Sequence, residues 1–284
     1  MEPIITIGGK TFELLRVQRR GASGVYKGNG EYLRIGEPGI IHRHLNIHRK
    51  MEEAGFPVAP LVEESEWNGK AYFIEKSVGD KRLGDAFAED WNSSGTISAE
   101  HFKKFMTIVE RYAKAQLRAP RARGSIEHLA RGIRLDDLCN ELPEHAIRIR
   151  EKFKDAFARV TIFPSVITHG DLNPQNLYEH GVIDLEDSFY APVGYDPICA
   201  LIHINFFPDS REYEYFARYR FTSEQRAQYL AMLDTLFTKA ELPRVSKYVH
   251  EFEFCRAVWC SVGMQKWPKL QKWRYDCLIQ KFIS

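Results

Sequence analysis

The polar side chains of one stretch, residues 166–187 (VITHGDLNPQNLYEHGVIDLED), are of the types that activate a hydroxyl and bind a divalent cation. Asp171 follows a His-Gly pair, Asn176 comes five residues after it, and Asp184 comes eight residues after Asn176. Carboxylate and amide oxygens suit an octahedral, oxygen-liganded Mg²⁺ ion. Asp and Asn also form turns, but turn formation does not require this combination at this spacing. The spacing therefore indicates chemistry rather than packing.

The segment between Asn176 and Asp184 predicts a tight β-hairpin, with Gly181 supplying the turn geometry. The centre of this hairpin falls near His180, which places Asn176 and Asp184 opposite each other. Directly opposed residues of paired strands have Cβ atoms about 5 Å apart. We therefore expect Asn176 and Asp184 to bind Mg²⁺ together, with Asp171 beside them on a loop that contains proline.

His169-Gly170-Asp171, Asn176 and residues 183–187 resemble the catalytic and metal-binding segments of the aminoglycoside phosphotransferase and choline kinase family. That family is similar to protein kinases, with HGDxxxxN in place of HRDxxxxN and an IDxE-type segment in place of DFG. The resemblance implies an α+β, protein kinase-like bilobal fold, with a small antiparallel-sheet N-lobe containing one helix and a larger, mainly helical C-lobe. It implies a nucleotide-binding lobe with the hinge at 1–78, and a catalytic and acceptor-binding lobe at 79–284.

Short apolar segments and turn residues in the first 78 residues predict a sheet that includes one helix. Two Asn-Gly pairs, Asn29-Gly30 and Asn68-Gly69, predict two-residue hairpin turns. In chain order we expect strands at 12–18, 25–27 and 31–35, a helix at 40–54, and strands at 60–64 and 70–75.

The turn at 19–24 is rich in small residues and resembles the nucleotide-covering loop of the family. The resemblance implies that the backbone amides of Ala22, Ser23 and Gly24 approach phosphate oxygens, because small side chains leave these amides accessible. A plain hairpin turn has the same composition, so the motif depends on the downstream segments for its interpretation.

Arg34 occupies the strand position at which protein kinases carry a phosphate-binding Lys, and a guanidinium can bind phosphate oxygens in a bidentate manner. An exposed strand cation is the alternative. The family helix usually supplies a Glu to this cation, but the position falls at His44, and no acidic residue lies within 39–50. We therefore expect Arg34 to find another partner, such as the phosphates, unless the site is unusual. His42 and His48 fit a solvated helix face.

Residues 71–79 resemble the hinge of the kinase-like fold, where backbone groups meet adenine. By that resemblance the Glu75 carbonyl and the Ser77 amide contact the purine. Side-chain identity matters little at these positions, so both ATP and GTP stay open as the co-substrate.

The chain after residue 79 shows mainly helical patterns. Ser98 is placed to cap a helix whose apolar stripe predicts core packing. Asp196-Pro197 resembles the start of the family's DPxxDLA helix, but Ala200 stands where the second Asp normally braces the catalytic loop. That support must come from elsewhere, and Asp196 is the candidate. Thr222 and Gln225 form the pattern of a capping box. Aromatic side chains near the C-terminus wall the acceptor pocket in this family, although helical core packing explains most of them.

Composition excludes several other classes of protein. Hydrophobic residues at 44% and charged residues at 27% are ordinary for a soluble globular chain, and a net charge of +2 gives no general attraction to nucleic acid or membrane. The first residues lack the pattern of a signal peptide, and no apolar run approaches the roughly 20 residues that span a bilayer. Five cysteines without a CxxC pair fit buried, reduced thiols in a cytoplasmic protein and argue against a zinc site. The arginines of 118–134 fit a solvated surface, with an anionic ligand as the alternative.

The resemblance implies a kinase that transfers the γ-phosphoryl group of ATP or GTP to a hydroxyl of a sugar, amino alcohol or antibiotic-like acceptor. Asp171 would be the catalytic residue. A catalytically impaired, nucleotide-binding regulatory protein is the alternative, because His44 and Ala200 replace family acids. An RNA or phosphoprotein binder is supported by 118–134 alone. Lys and Arg outnumber acids in 201–284, which argues against a polycationic acceptor unless Glu251 and Glu253 form an acidic patch. The acceptor and the oligomeric state stay open.

Overall fold

The first part of the chain forms one antiparallel sheet in the computed structural model, which describes residues 2–17 and 23–284. Within those residues the sheet has six strands in the order β1-β2-β3-β4-β6-β5. Each strand runs antiparallel to its neighbours. The strands are β1 (Ile4–Ile7), β2 (Lys10–Val17), β3 (Ser23–Gly28), β4 (Glu31–Gly36), β5 (Leu61–Trp67) and β6 (Lys70–Lys76).

Both predicted Asn-Gly turns are confirmed. The two central residues have φ angles of 52° and 76° in Asn29-Gly30, and of 50° and 73° in Asn68-Gly69. Consecutive left-handed residues are typical of the type I′ turn, whose twist matches that of the flanking strands. Strand β1 was not among the predicted strands, although a Gly-Gly turn joins it to β2.

The two faces of the sheet have different roles. One face carries its own apolar core, and the other packs on helix α1 (Pro38–Glu53), which buries Ile41 and Leu45 against Ala71 and Phe73. The helix begins with proline in its first turn, and Gly55, which follows it, has a φ of 79°. The core of the first face consists of Ile5, Ile7, Phe12, Tyr26, Leu33, Ile35, Tyr72 and Ile74.

The rest of the chain is mainly helical, with one small second sheet. Strands β7 (Ser165–Thr168) and β8 (Phe189–Pro192) pair antiparallel. Residues 169–188, which include Asp171, Asn176 and Asp184, lie between these two strands. The helices are α2 (Leu83–Ser94), α3 (Ala99–Arg118), α4 (Ile126–Gly132), α5 (Leu135–Glu141), α6 (Ala146–Val160), α7 (Tyr195–Ile202), α8 (Ser223–Lys239), α9 (Val249–Ser261), α10 (Pro268–Trp273) and, after a π-helical segment (Arg274–Ile279), α11 (Gln280–Ile283). The chain therefore has the predicted bilobal α+β fold.

The predicted helix caps are confirmed. The Ser98 side chain accepts a hydrogen bond from the His101 amide (3.3 Å) at the start of α3. Thr222 and Gln225 form a reciprocal capping box at the start of α8. The apolar stripe of α3 is buried in the main core, as expected.

The exposure of the cysteines and of the arginines in 118–134 agrees with most of what the composition predicted. Four cysteines are buried free thiols, whereas Cys277 is exposed and departs from the expectation. The five arginines of 118–134 are exposed, which fits a solvated surface. Among the described residues, none of the helices combines the length and apolarity that a membrane span requires.

Candidate active site

The loop that carries Asp171 begins directly after β7 and depends on a glycine. Gly170 has a φ of 79°, and a Cβ at this position would lie 2.0 Å from the carbonyl oxygen of Asp187. Only glycine combines this backbone conformation with such a close approach. Gly170 thereby lets the loop pack against the turn that follows Asp184.

Asp196 holds the start of this loop in place. Its carboxylate accepts hydrogen bonds from the backbone N–H groups of His169 (2.7 Å) and Gly170 (3.1 Å), and from the hydroxyl of Tyr112 (2.6 Å). Asp196 is fully buried on α7. These contacts confirm the expectation that Asp196 braces the loop in place of the acid absent at Ala200.

Asp171 is surrounded by donors. Asn173 donates to its Oδ1 (3.0 Å), Asn176 donates to its Oδ2 (3.3 Å), and Arg256 donates to Oδ1 in a short ion pair. Burial acts to raise the pKa of Asp171, but the charge of Arg256 outweighs it, and the pKa lies below the ordinary carboxylate value. The carboxylate is therefore ionised and held in one orientation.

Arg256 of α9 was missed by the sequence argument. Its side chain is fully buried, stacks on Trp259 with 4.2 Å between guanidinium and ring centroid, and donates to the Gly170 carbonyl oxygen (3.1 Å). The guanidinium also lies 3.1 Å from Nδ1 of His203, whose pKa burial and Arg256 lower to about 3. The available signal was one Arg within the otherwise apolar segment 254–260, because Arg is almost never fully buried without a partner.

The turn between Asn176 and Asp184 is tight, but the predicted register is wrong by one residue. Leu177 pairs with Val182, and the Ile183 amide donates to the Asn176 carbonyl (3.1 Å), so Ile183 rather than Asp184 is opposite Asn176. Asp184 follows the turn with a left-handed φ of 71° and precedes a single 3₁₀ turn.

Gly181 also has a different role from the one predicted. It is not among the glycines with positive φ. A Cβ at Gly181 would lie 2.7 Å from the carbonyl oxygen of Pro57 and 2.8 Å from Cγ1 of Val78. Glycine is therefore required by close packing, and the next amide, of Val182, donates to the same Pro57 carbonyl (2.8 Å).

Asp184 and Asn176 offer two oxygen donors that suit Mg²⁺. Burial acts to raise the pKa of Asp184, but Arg34 and Arg16 outweigh it and lower the pKa, so the carboxylate is ionised. Asn176 directs its amide nitrogen to the Asp171 carbonyl (3.0 Å), which leaves the amide oxygen for a cation. No group of three His, Cys, Asp or Glu side chains suited to a metal occurs in the described part of the chain. The donor set thus fits a cation that takes its other ligands from phosphates and water.

Arg34 is buried, at 7% exposure, which excludes the exposed-cation alternative. Its Nε lies 3.2 Å from Oε1 of Glu75, on the neighbouring strand β6. The helix supplies no acidic partner, as predicted, and an acid from the sheet pairs with Arg34 instead. His44 of α1 borders Arg34, and burial together with that cation lowers its pKa to about 4. His48 is buried as well, contrary to the expectation of a solvated face, whereas His42 is exposed.

The described residues among the predicted nucleotide contacts lie in strands of the sheet or directly after one. Ser23 and Gly24 lie in β3 rather than in a turn, opposite Gly36 and Ile35, and Ala22 lies outside the described residues. The Ser77 amide donates to the carbonyl oxygen of Gly30 (2.9 Å). A purine contact through this amide would therefore replace an existing hydrogen bond.

An antiparallel sheet with one helix, a helical second lobe and the HGDxxxxN loop with a following Asp define a kinase-like phosphotransferase architecture. The sequence profile of the phosphotransferase enzyme family (APH) matches residues 78–232, more than half of the chain. The chain belongs to this family, and the predicted resemblance is confirmed. No curated protein sequence matches the chain.

Solved structures share the fold at low sequence identity. An aminoglycoside-3′-phosphotransferase of type VIII is 15% identical, with a TM-score of 0.53 over 88% of this chain and 94% of that chain. The Streptomyces rimosus aminoglycoside phosphotransferase APH(3″)-Id, solved with ADP and streptomycin, is 11% identical, with a TM-score of 0.54 over 87% and 92%. A Plasmodium vivax ethanolamine kinase is 12% identical, with a TM-score of 0.54 over 98% and 80%.

Proposed function

We propose that the protein is a small-molecule kinase that transfers the γ-phosphoryl group of ATP or GTP to a hydroxyl of its acceptor. The observation that carries the proposal is the loop in which Asn176 donates to Asp171. This contact ties the candidate base to a candidate magnesium ligand within one rigid loop. Membership of the phosphotransferase enzyme family supports the reaction class.

Asp171 would orient the acceptor hydroxyl and take its proton. A lowered pKa makes it a weak base, but the transition state of phosphoryl transfer is loose, so positioning contributes more than proton abstraction. Arg256 supports this role because it fixes the carboxylate in its ionised form. We therefore assign Asp171 as the catalytic residue and Arg256 as a positioning residue.

The nucleotide would bind between the sheet and the loop. Arg34 would contact its phosphates, together with the backbone of Ser23 and Gly24, and the Glu75 carbonyl and the Ser77 amide would meet the base. Mg²⁺ held by Asn176 and Asp184 would neutralise charge on the transferring group. The ADP bound to the Streptomyces rimosus enzyme supports a nucleotide as co-substrate.

The ion pairs of two acidic residues argue against a polycationic acceptor. Glu251 pairs with Arg159 (2.8 Å) and Glu253 with Lys281 (3.2 Å), so these two acids form no unpaired acidic patch. Arg256 neutralises Asp171 in the same way. A polycationic acceptor would gain little attraction from these carboxylates.

A catalytically impaired regulator is less well supported than an enzyme. Its motivation was the loss of acids at His44 and Ala200. Glu75 pairs with Arg34 where the helix supplies no acid, and Asp196 braces the loop where Ala200 does not. Both roles are therefore filled from other positions.

The proposal is tested by incubating the wild-type protein with labelled ATP or GTP, Mg²⁺ and a panel of sugars, amino alcohols and aminoglycosides. We expect phosphate transfer to at least one acceptor, and a loss of about 10²–10⁴-fold in kcat for Asp171→Asn. The variant leaves Arg256 buried without its charge partner, so its melting temperature should also fall. A nucleotide-induced thermal shift in the same variant controls for folding. A shift in wild type without turnover on any acceptor would favour the regulator.

A further inference from the structure

Strand β2 contains a β-bulge two residues before its described end. Leu14 pairs with Tyr26 and Arg16 pairs with Val25, so Leu15 is an extra residue with no partner on β3. Leu15 is 55% exposed. A bulge shifts the alternation of side chains, so every later residue of the strand changes face.

The bulge decides which face of the sheet carries Arg16. Without the extra residue, Leu15 would be opposite Val25 and Arg16 would share the face of the apolar core. With it, Arg16 is opposite Val25, Val25 is opposite Arg34, and Arg34 is opposite Phe73. Directly opposed residues share a face. Arg16 and Arg34 are therefore aligned on the face that borders the candidate nucleotide site.

Both guanidinium groups reach the same oxygen of Asp184. Arg16 Nη2 lies 2.8 Å from Oδ1, and Arg34 Nη1 lies 3.7 Å from it. The two cations differ in freedom, because the Arg34 side chain is 8% exposed and held by Glu75, whereas that of Arg16 is 43% exposed. Arg16 is thus the more exposed of the two cations at a carboxylate that is also the candidate magnesium ligand.

We propose that Arg16 is a phosphate-binding residue of the nucleotide site, placed there by the bulge, and that its ion pair with Asp184 is the nucleotide-free contact. This inference rests on the proposed kinase function. A cation bound at Asp184 would repel the guanidinium of Arg16 at the same carboxylate, so the two cations compete for it. When a magnesium nucleotide occupies the site, Arg16 therefore exchanges Asp184 for a phosphate oxygen, to which a guanidinium can donate two hydrogen bonds.

A purely structural role is the competing explanation. An ion pair between the sheet and Asp184 would hold the two parts of the cleft together. Because the Arg16 side chain is 43% exposed, solvent screens this pair and it stabilises the fold by little. The two roles are distinguishable, because a phosphate contact affects triphosphate affinity selectively, whereas a structural contact affects the affinity for all ligands alike.

The test compares ligand affinities of Arg16→Gln, Arg16→Lys and wild type by calorimetric titration with Mg·ATP, Mg·ADP and adenosine. We expect Arg16→Gln to weaken Mg·ATP binding roughly tenfold, as for the loss of one charge-assisted hydrogen bond, with adenosine affinity unchanged. Arg16→Lys should fall in between, because it keeps the charge but not the fork geometry. Arg49→Gln is the matched control, since Arg49 is an exposed arginine paired with Glu64 of the edge strand β5.

A titration with MgCl₂ alone gives a second readout. Arg16→Gln removes the nearer of the two cations at Asp184, so Mg²⁺ without nucleotide should stabilise this variant more than it stabilises the wild type.

Three outcomes would overturn the inference. Equal Mg·ATP affinity in wild type and Arg16→Gln would do so while leaving the proposed function intact. An equal loss of affinity for adenosine and for Mg·ATP would establish the structural role. A wild-type protein that binds no nucleotide would remove the proposed function, and this inference with it.

Discussion

The buried Arg256 explains how the Asp171 carboxylate stays charged although its surroundings exclude much of the water. Burial alone favours the neutral form of a carboxyl group. A guanidinium at hydrogen-bonding distance reverses that preference and also fixes the direction of one carboxylate oxygen. His203, held neutral beside the same guanidinium, completes its contacts without adding a charge.

Replacing Arg256 by methionine should move the acid limb of the pH–rate profile. Burial then acts on Asp171 without the opposing cation, so the pKa of the carboxyl rises. Because the ionised form is active, kcat/KM at low pH should fall by tenfold or more, and the loss should shrink as the pH rises. In stability, the pair contributes above the ordinary carboxylate pKa and loses its contribution as the pH falls through the lowered value. The destabilisation of the variant should therefore be largest near neutral pH.

The measurement is kcat/KM from pH 4.5 to 9 for wild type, Arg256→Met and a control. Lys281→Gln is a suitable control, because it removes an exposed cation that pairs with Glu253 of the same helix, α9. Its acid limb should coincide with that of the wild type. An Arg256→Met profile that is uniformly lower at every pH would show that Arg256 contributes packing only.

At the scale of elements, local signals in the sequence predicted what depends on neighbouring residues. The Asn-Gly turns, the Ser98 cap and the capping box at Thr222 are all present, because each depends on a few consecutive side chains. The register around Asn176 was wrong because it depends on contacts with distant residues, which a hairpin pattern does not contain. The bulge at Leu15 and the partner of Arg34 escaped prediction for the same reason.

The turn at 177–183 is positioned by its packing on Pro57, and Gly181→Ala should test this. A Cβ there would lie 2.7 Å from the Pro57 carbonyl oxygen, so the backbone must shift. We expect a loss of about 1–3 kcal/mol in the free energy of unfolding, measured by urea denaturation, because the space is already filled. Asn176 and Asp184 flank this turn, so the affinity for Mg·ATP should fall as well.

Gly39→Ala is the matched control for that variant. Gly39 lies in the first turn of α1, and a Cβ there would meet no atom within 4 Å. Alanine is favoured over glycine in a helix by up to about 1 kcal/mol, so this variant should be as stable as wild type or slightly more stable. Equal stability of Gly181→Ala and wild type would show that the Pro57 contact can relax and does not position the turn.

At the scale of the whole molecule, the candidate site is assembled from both lobes. The sheet contributes Arg16, Arg34 and Glu75, while the loops between β7 and β8 contribute Asp171 and Asp184. Roles that one element fills in the family pattern are filled here from another, as with Glu75 in place of a helix acid. A position-by-position comparison with the family pattern therefore finds missing acids, although other residues of the folded chain make the corresponding contacts.

Removing magnesium should abolish most of the rise in melting temperature that the nucleotide gives the whole molecule. A ligand at 100 times its Kd stabilises the folded state by about 2.7 kcal/mol, which corresponds to a rise of roughly 4–5 °C in Tm for a chain of 284 residues. We expect Mg·ATP to give this rise in wild type and ATP with EDTA to give little of it, because Asp184 and the phosphates then face each other without an intervening cation. Asp184→Asn should show as small a rise in Tm with Mg·ATP as the wild type shows with ATP and EDTA.

Glu179→Gln is the control. It removes an exposed carboxylate of the same turn, which pairs with Lys104, and it should keep the full rise in Tm. An equal rise with and without EDTA would contradict the magnesium site at Asn176 and Asp184.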